Sequence, residues 1–167
     1  VLARAGMRPG VLGTVSYRWP GFQEEAGRTT PESADLQRML AGMLAAGSKA
    51  AVMEVSSHAL VLGRVKDVAF RCGVFTNLAS DHLDYHKTVE AYRDAKGILF
   101  SDLESDATAV LNADDPVSDH YRKACRARVL TYGMEAAADC RAVILEAGWE
   151  STRIRLETPS GNTEATL

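Results

Sequence analysis

Carboxylate, imidazole and hydroxyl side chains follow three apolar runs of this 167-residue sequence. Glu54 and Ser56 come after AAVM, His82 lies beyond VFTNL, and Asn112 and Asp114 follow AVL. If the runs are neighbouring strands, these groups converge and predict a site for Mg²⁺ and phosphate. Because Glu54 directly follows an apolar run, we expect its carboxylate to be largely desolvated. Taken singly, a glutamate such as Glu54 is more often a helix cap or a salt-bridge partner, and a histidine such as His82 is more often a loop residue than a ligand.

A lysine interrupts an apolar helical stripe further along the chain. Val89, Tyr92, Lys96 and Leu99 recur at spacings of three and four and should share one helix face. Lys96 could snorkel at the edge of the stripe, with its methylenes buried and its charge in water. Alternatively, burial favours the neutral amine, which CO₂ can convert into a carbamate that binds a metal. The residues alone leave both interpretations open.

Alternating strands and helices must position these groups. Apolar runs predict buried strands at 49–55, 72–78 and 107–113, and further strands at 11–17 and 128–133. Thr30 is a plausible N-cap, with Pro31 at the first position of a helix that Gly47 ends. Further helices are predicted at 88–101 and 116–126, and residues 21–31 are predicted to be a polar loop.

The order of these elements predicts an α/β fold. Its sheet should be mostly parallel and flanked by helices, because the strands alternate with helices and are apolar throughout. The last thirty or so residues differ, since three β-rich stretches separated by Gly148 and by Pro159-Ser160-Gly161 predict an antiparallel meander. In such folds ligands bind beyond the carboxyl ends of the parallel strands, where Glu54, His82 and Asn112 are expected.

Composition excludes several classes of function. A net charge of -3 gives no basis for nucleic acid as a partner. No apolar run approaches the roughly 20 residues of a membrane span. The three cysteines lack metal-like spacing and indicate reduced thiols in a cytoplasmic protein. The chain starts at Val1, in what resembles the end of a helix, and stops within a strand-like run, so we expect a portion of a longer protein.

Four stretches resemble the central domain of the Mur ligases: TTPESADLQRML, MEVSSHALVLGRV, FTNLASDHLDYHKTVEAYRDAKGILF and VLNADD. The resemblance is closest to the members that add the third peptide residue, and it covers the whole chain. It implies a P-loop NTPase-like domain and a cytoplasmic, monomeric enzyme that uses ATP and Mg²⁺. The implied substrates are UDP-MurNAc-L-Ala-D-Glu and an amino acid, either diaminopimelate or lysine, joined through an acyl phosphate.

The resemblance also assigns roles to individual residues. Glu54 and His82 match the magnesium ligands of the family, and Lys96 matches its carbamylated lysine, so these three carry the catalytic chemistry. The groups that hold the UDP-MurNAc-peptide match Thr29, Thr30, Ser56 and Arg64. Asn112 and Asp114 lie in a stretch near the nucleotide, without an assigned contact.

The sequence departs from the family in one respect that bears on activity. It contains no GxxxxGK[ST] phosphate loop, and the expected N-terminal uridine-binding and C-terminal domains are not encoded in it. We therefore interpret residues 1–167 as part of the central, ATP-binding domain and expect them to be inactive alone. Two alternatives stay open: a truncated, non-catalytic binding module, and a related ligase of the folylpolyglutamate or cyanophycin synthetase type.

Overall fold

Two β-sheets organise the chain, one in each of its two structural units. The computed structural model describes residues 1–79 and 83–167, which divide into Val1–Val68 and Ala69–Leu167. A four-stranded sheet forms the centre of the first unit, and a six-stranded sheet forms that of the second.

The first unit is a mixed sheet with two helices. Its elements are β1 (Gly10–Leu12), β2 (Ser16–Trp19), β3 (Phe22–Glu25), α1 (Ser33–Ala45), β4 (Ala51–Met53) and α2 (Ser57–Val61). The strand order is β3-β2-β1-β4. The first three strands pair antiparallel, and β4 pairs parallel with β1, with Val11 opposite Val52.

Helix α1 packs on this sheet through close contacts with small residues. A Cβ on Gly10 would lie 2.2 Å from the sulfur of Met43, so only glycine leaves room for this side chain at that position. On the neighbouring strand, Trp19 stacks on Phe22 with 3.9 Å between ring centroids and faces Gly42 of the helix. Leu36 and Met43 are the buried residues of α1.

Several predictions for the first unit are wrong. Residues 11–17 are two strands joined by a turn, and the predicted polar loop 21–31 contains β3. Residues 2–6 form turns rather than a helix. Thr30 is not an N-cap, because α1 begins at Ser33 and the Thr30 hydroxyl donates to the Glu54 carbonyl instead. Strand β4 is not buried: it pairs only with β1 among the described residues, and Val52 is 48% exposed.

The second unit contains the predicted parallel sheet and the antiparallel meander. Its elements are β5 (Cys72–Phe75), α3 (Leu83–His86), α4 (Val89–Ser101), β6 (Thr108–Asn112), α5 (Ser118–Ala124), β7 (Arg128–Gly133), β8 (Cys140–Ala147), β9 (Thr152–Thr158) and β10 (Gly161–Thr166). Strands β5, β6 and β7 pair parallel, and β8, β9 and β10 pair antiparallel. The two halves join where β7 and β8 pair parallel, over Tyr132↔Cys140 and Gly133↔Arg141.

An aromatic cluster forms the core of the second unit. Phe100 of α4 stacks on Tyr121 of α5, with 5.0 Å between ring centroids, and meets Phe75 of β5 edge-on. Such pairs add about 0.5–1.5 kcal/mol each beyond the burial of their area. The helices α4 and α5 are therefore held against the parallel strands at one shared contact.

The predicted α/β class, with its parallel sheet, flanking helices and C-terminal meander, is confirmed. The strand predicted at 128–133 matches β7, and the helix predicted at 88–101 matches α4, which the Thr88 hydroxyl caps. The strand that precedes Glu54 nevertheless lies in a different sheet from β5–β7. Among the described residues, no helix combines the length and the apolar composition that crossing a membrane requires.

We predict that Phe100→Ala lowers the free energy of unfolding by about 3–5 kcal/mol, because it empties a buried aromatic site. Val89→Ala in the same helix is the control, since Val89 is 42% exposed and should change stability by no more than about 0.5 kcal/mol. Urea unfolding followed by far-UV circular dichroism measures both. Equal losses for the two variants would contradict this core.

Candidate functional site

The Glu54 carboxylate lies at the end of β4 and is held by hydroxyl groups. The Thr14 hydroxyl donates to its Oε2 at 2.6 Å, and the Thr14 backbone N–H lies 3.3 Å from the same oxygen. The Thr29 hydroxyl lies 3.1 Å from that of Thr14. The expectation that Glu54 is desolvated is wrong: it is exposed, because β4 lies at the edge of its sheet.

Two residues of the turn between β1 and β2 shape this position, and sequence analysis missed both. Thr14 supplies the hydrogen bonds just described, and a Cβ on Gly13 would lie 2.7 Å from Oε1 of Glu54. The absence of a side chain at Gly13 therefore lets the carboxylate lie against the turn. The sequence signal for this contact was the pair Gly13-Thr14 inside an apolar run. A glycine within a strand pattern often marks a position where another group closely approaches the backbone.

Thr30 and Ser56 fix the backbone that follows Glu54. Thr30 is only 1% exposed; its hydroxyl donates to the Glu54 carbonyl at 2.9 Å and accepts from the Ser56 N–H at 3.0 Å. The Ser56 hydroxyl accepts from the Ala59 N–H at 3.2 Å and so caps α2. Both hydroxyls thus satisfy backbone groups at the point where the strand ends.

Arg64 lies against the same cluster. Its Nη2 is 2.9 Å from a Glu32 carboxylate oxygen, and its Nη1 donates to the Thr30 carbonyl at 3.3 Å. The side chain is 13% exposed, and its Nε has no partner within the described part of the chain. Of the four residues predicted to hold substrate, Thr30, Ser56 and Arg64 are linked by hydrogen bonds to one another or to Glu54, and Thr29 reaches Glu54 through the Thr14 hydroxyl.

The Glu54 carboxylate in the first unit is suited to a hard cation. In the described residues, Oε1 of Glu54 accepts no hydrogen bond, and an exposed carboxylate oxygen is a ligand that Mg²⁺ prefers. Glu54 therefore fits the predicted metal as one ligand. Residues 1–79 and 83–167 contain no group of three His, Cys, Asp or Glu side chains that could hold a metal, and the predicted ligand His82 lies outside the described residues.

Lys96 lies on α4 in the second unit and is half-buried. Its Nζ is 5.1 Å from the centre of the Tyr92 ring, and Tyr92 in turn stacks on the buried His86. An ammonium over an aromatic face is stabilised by the ring quadrupole. The predicted stripe is correct for Tyr92, Lys96 and Leu99, whereas Val89 is exposed. The carbamate on Lys96 stays a prediction.

Side chains at the end of β6 and just after it form hydrogen bonds with backbone groups of neighbouring loops. Asn112 donates from Nδ2 to the Thr76 carbonyl at 2.8 Å, and its Oδ1 accepts from the Asp114 N–H. The Asp114 carboxylate accepts three backbone N–H groups from residues 134–136, at 2.6–3.1 Å. These bonds, that from Ala136 foremost, lower the pKa of Asp114.

Comparison with known proteins identifies relatives for the whole chain. A model described as the Mur ligase middle domain matches residues 2–167. The UDP-N-acetylmuramoyl-L-alanyl-D-glutamate--2,6-diaminopimelate ligase of Bacillus licheniformis is 42% identical over 173 residues, which are 100% of this chain and 36% of that protein. The ligase of the same name from Synechocystis is 55% identical over 106 residues, covering 64% of this chain and 21% of its own.

A solved structure agrees with these sequence relatives. A structure of a ligase with that same name superposes with a TM-score of 0.86 at 29% identity, over 98% of this chain and 34% of the other. The chain therefore spans about a third of the length of these relatives.

We predict that Asp114 contributes to stability in a pH-dependent way. Its folded-state pKa lies below the ordinary value of about 3.9, so the contribution is complete above that pH and is lost as the pH falls through the lowered pKa. The stability difference between the wild type and Asp114→Asn should be constant near neutral pH and should narrow below about pH 4.

Asp119→Asn is the control, because it removes the same charge from a carboxylate that accepts no backbone hydrogen bond in the described residues. Urea midpoints measured from pH 7 to pH 3 give the result. A difference for Asp114→Asn that stays constant, or one that Asp119→Asn reproduces, would show that the three N–H bonds are not the cause.

Proposed function

Because the chain belongs to the Mur ligase family, we propose that it is part of the ATP-binding core of a ligase acting on UDP-MurNAc-L-Ala-D-Glu. The ligase would add the third peptide residue, in the synthesis of peptidoglycan precursors. The name of the relatives favours diaminopimelate as the added amino acid, with lysine as the alternative.

One observation carries this proposal. In a chain that belongs to this family, the carboxyl end of β4 presents Glu54 among Thr14, Thr29, Thr30 and Ser56, joined by hydrogen bonds. An exposed carboxylate beside hydroxyl groups suits the binding of a cation and of a polar, anionic substrate. The end of a strand that pairs parallel is also where ligands bind in open α/β sheets.

The proposed chemistry follows from the poor reactivity of a carboxylate towards amines. A terminal oxygen of the substrate carboxylate attacks the γ-phosphorus of ATP, the bond to ADP breaks, and an acyl phosphate forms. The amine of the incoming amino acid then attacks the acyl carbon, and phosphate leaves with the bonding electrons. A Mg²⁺ ion, when bound, would offset the charge on the phosphoryl oxygens.

We assign binding of the UDP-MurNAc-peptide to the region around the hydroxyl groups of Thr29, Thr30 and Ser56 and to Arg64. Thr29 and the exposed side of Ser56 would contact the UDP-MurNAc-peptide, while Thr30 keeps the backbone after Glu54 in place. Arg64 now forms an ion pair with Glu32, which is half exposed. An anionic group of the substrate would therefore have to displace Glu32 or bind the Arg64 guanidinium alongside it. The forked arrangement of N–H donors in a guanidinium suits it to binding such a group.

We assign the metal and its activation to Glu54, His82 and Lys96. Glu54 would bind Mg²⁺ through its carboxylate, and His82 through an imidazole nitrogen. Lys96 would act as a carbamate, which presents a carboxylate instead of an ammonium. The family match supports this assignment, and Lys96 lies half-buried on α4.

The same resemblance suggests the compartment, the oligomeric state and the partners of the ligase. We propose a cytoplasmic monomer without nucleic-acid or membrane partners. The free state of Cys72, Cys125 and Cys140 supports a reducing compartment.

We predict that the intact ligase containing this chain forms the tripeptide product, whereas residues 1–167 alone do not. The phosphates of ATP need the backbone cradle and lysine of a phosphate loop, which this sequence does not contain. Both proteins are incubated with ATP, Mg²⁺, UDP-MurNAc-L-Ala-D-Glu and either diaminopimelate or lysine, and product and phosphate are measured. No product from the intact ligase with either amino acid would refute the proposed function. Turnover by residues 1–167 would refute the prediction for the chain alone and the alternative of a non-catalytic binding module.

We predict that Lys96→Ala lowers the ligation rate of the intact enzyme by on the order of a hundredfold or more, because the metal loses a fixed negative ligand. Added short-chain carboxylic acids should restore part of the rate by occupying the vacated space. Lys123→Ala on α5 is the control, since Lys123 is an exposed lysine in the same unit. Ligation by Lys96→Ala at the parent rate would mean that this lysine only packs over Tyr92.

A further inference from the structure

The backbone that follows β5 is held by side chains from three other positions. The Tyr132 hydroxyl donates to the Phe75 carbonyl at 3.1 Å, and Asn112 donates to the Thr76 carbonyl at 2.8 Å. Asp115 accepts the Leu78 N–H on Oδ2 at 2.9 Å. Four consecutive residues, 75–78, thus contribute three backbone groups to bonds with side chains of β7, of the last residue of β6 and of the segment that follows it.

These bonds give the backbone of residues 75–78 the hydrogen-bond partners that a strand ladder or a helix would otherwise provide. Strand β5 ends at Phe75, so Thr76 and the residues up to Ala79 have no place in its ladder. A backbone group that leaves a ladder must find another partner or stay in water. Thr76 and Asn77 are exposed, so the bonds fix a segment whose polar side chains face solvent.

The three partners are themselves held in place. The other oxygen of Asp115 accepts the Val117 N–H at 2.9 Å, and Asn112 Oδ1 accepts the Asp114 N–H at 3.0 Å. Burial, foremost, raises the pKa of Tyr132, so its hydroxyl keeps its proton at neutral pH and donates. The partners therefore form a fixed frame for the segment rather than flexible surface contacts.

We propose that Asp115 and Tyr132, together with Asn112, are positioning residues that hold residues 75–78 in one conformation where the chain runs on towards His82. This proposal rests on the proposed function, in which His82 binds the metal. None of the three needs to touch substrate for this role. They act through the backbone of the segment.

Two variants test the frame from opposite sides. Asp115→Asn replaces one carboxylate oxygen by an NH₂ group, so it can no longer accept both the Leu78 and the Val117 N–H. Tyr132→Phe removes only the hydroxyl that donates to Phe75 and keeps the ring. Losing one such bond is expected to speed amide exchange by roughly tenfold where the segment is opened.

Controls separate this role from a general loss of stability. Tyr121→Phe removes a hydroxyl that donates at 3.0 Å to the Arg93 carbonyl, which lies inside helix α4 and keeps its helical surroundings. Asp119→Asn makes the same change as Asp115→Asn at an exposed site near the start of α5. Neither control residue contacts residues 75–78 through a hydrogen bond in the described part of the chain.

The experiment measures two properties of the intact ligase. Hydrogen exchange followed by mass spectrometry should show roughly tenfold faster exchange in peptides covering 75–79 for Asp115→Asn and Tyr132→Phe, and no change there for the controls. Steady-state kinetics should show kcat lowered roughly tenfold in both variants, with the Michaelis constant for UDP-MurNAc-L-Ala-D-Glu unchanged.

Each outcome decides the proposal. Unchanged exchange at 75–79 overturns the frame, and faster exchange with an unchanged kcat overturns its role in catalysis. A fall in kcat that both controls reproduce also overturns that role. If the unmodified intact ligase forms no tripeptide, the proposed function fails and the role in catalysis with it, whereas the exchange measurement still decides whether the frame exists.

Discussion

A strand's backbone needs new hydrogen-bond partners at the residue where its ladder stops, and in each unit side chains next to the predicted site residues supply these partners. In the first unit, the Thr30 hydroxyl satisfies the Glu54 carbonyl. In the second, Asn112 and Asp115 satisfy groups of the segment after β5. The loops that carry the predicted chemistry are therefore shaped by side chains from distant positions. The same side-chain types that could bind ligands are partly used in holding the backbone that presents them.

Hydrophobic periodicity was sufficient to predict the helices and strands whose apolar pattern is long and continuous. Helix α4 and strand β7 could be predicted within a residue or two, because their burial follows one period throughout. Strand β3 could not, since its four residues are all exposed and carry no alternation. The prediction of Thr30 as an N-cap failed for a different reason: its hydroxyl had two possible partners, and the one it bonds is the Glu54 carbonyl, 24 residues further along the chain and just after β4. Local sequence does not contain that information.

The residues of the candidate site also divide into those that the sequence could identify and those that it could not. Glu54 and Lys96 could be singled out because a charge beside apolar residues is unusual. Tyr92 could be found too, because its spacing puts it on the helix face of Lys96. Thr14, which holds Glu54, could not, because only the turn between β1 and β2 brings it to a residue 40 positions away. Burial was also misjudged at Glu54, where the apolar run before it forms an edge strand. An apolar run indicates a strand, but its position in the sheet decides how much water reaches the residues that follow.

The placement of the two tryptophans has a spectroscopic consequence. Trp19 stacks on Phe22 in the first unit, whereas Trp149 lies fully exposed in the turn between β8 and β9. The core of the second unit contains phenylalanine and tyrosine instead. Loss of structure changes the surroundings of Trp19, while Trp149 meets water in either state. Changes in indole emission therefore report loss of structure around Trp19 in the first unit, whereas unfolding of the second unit, in which α4 carries Lys96, does not change the surroundings of either indole.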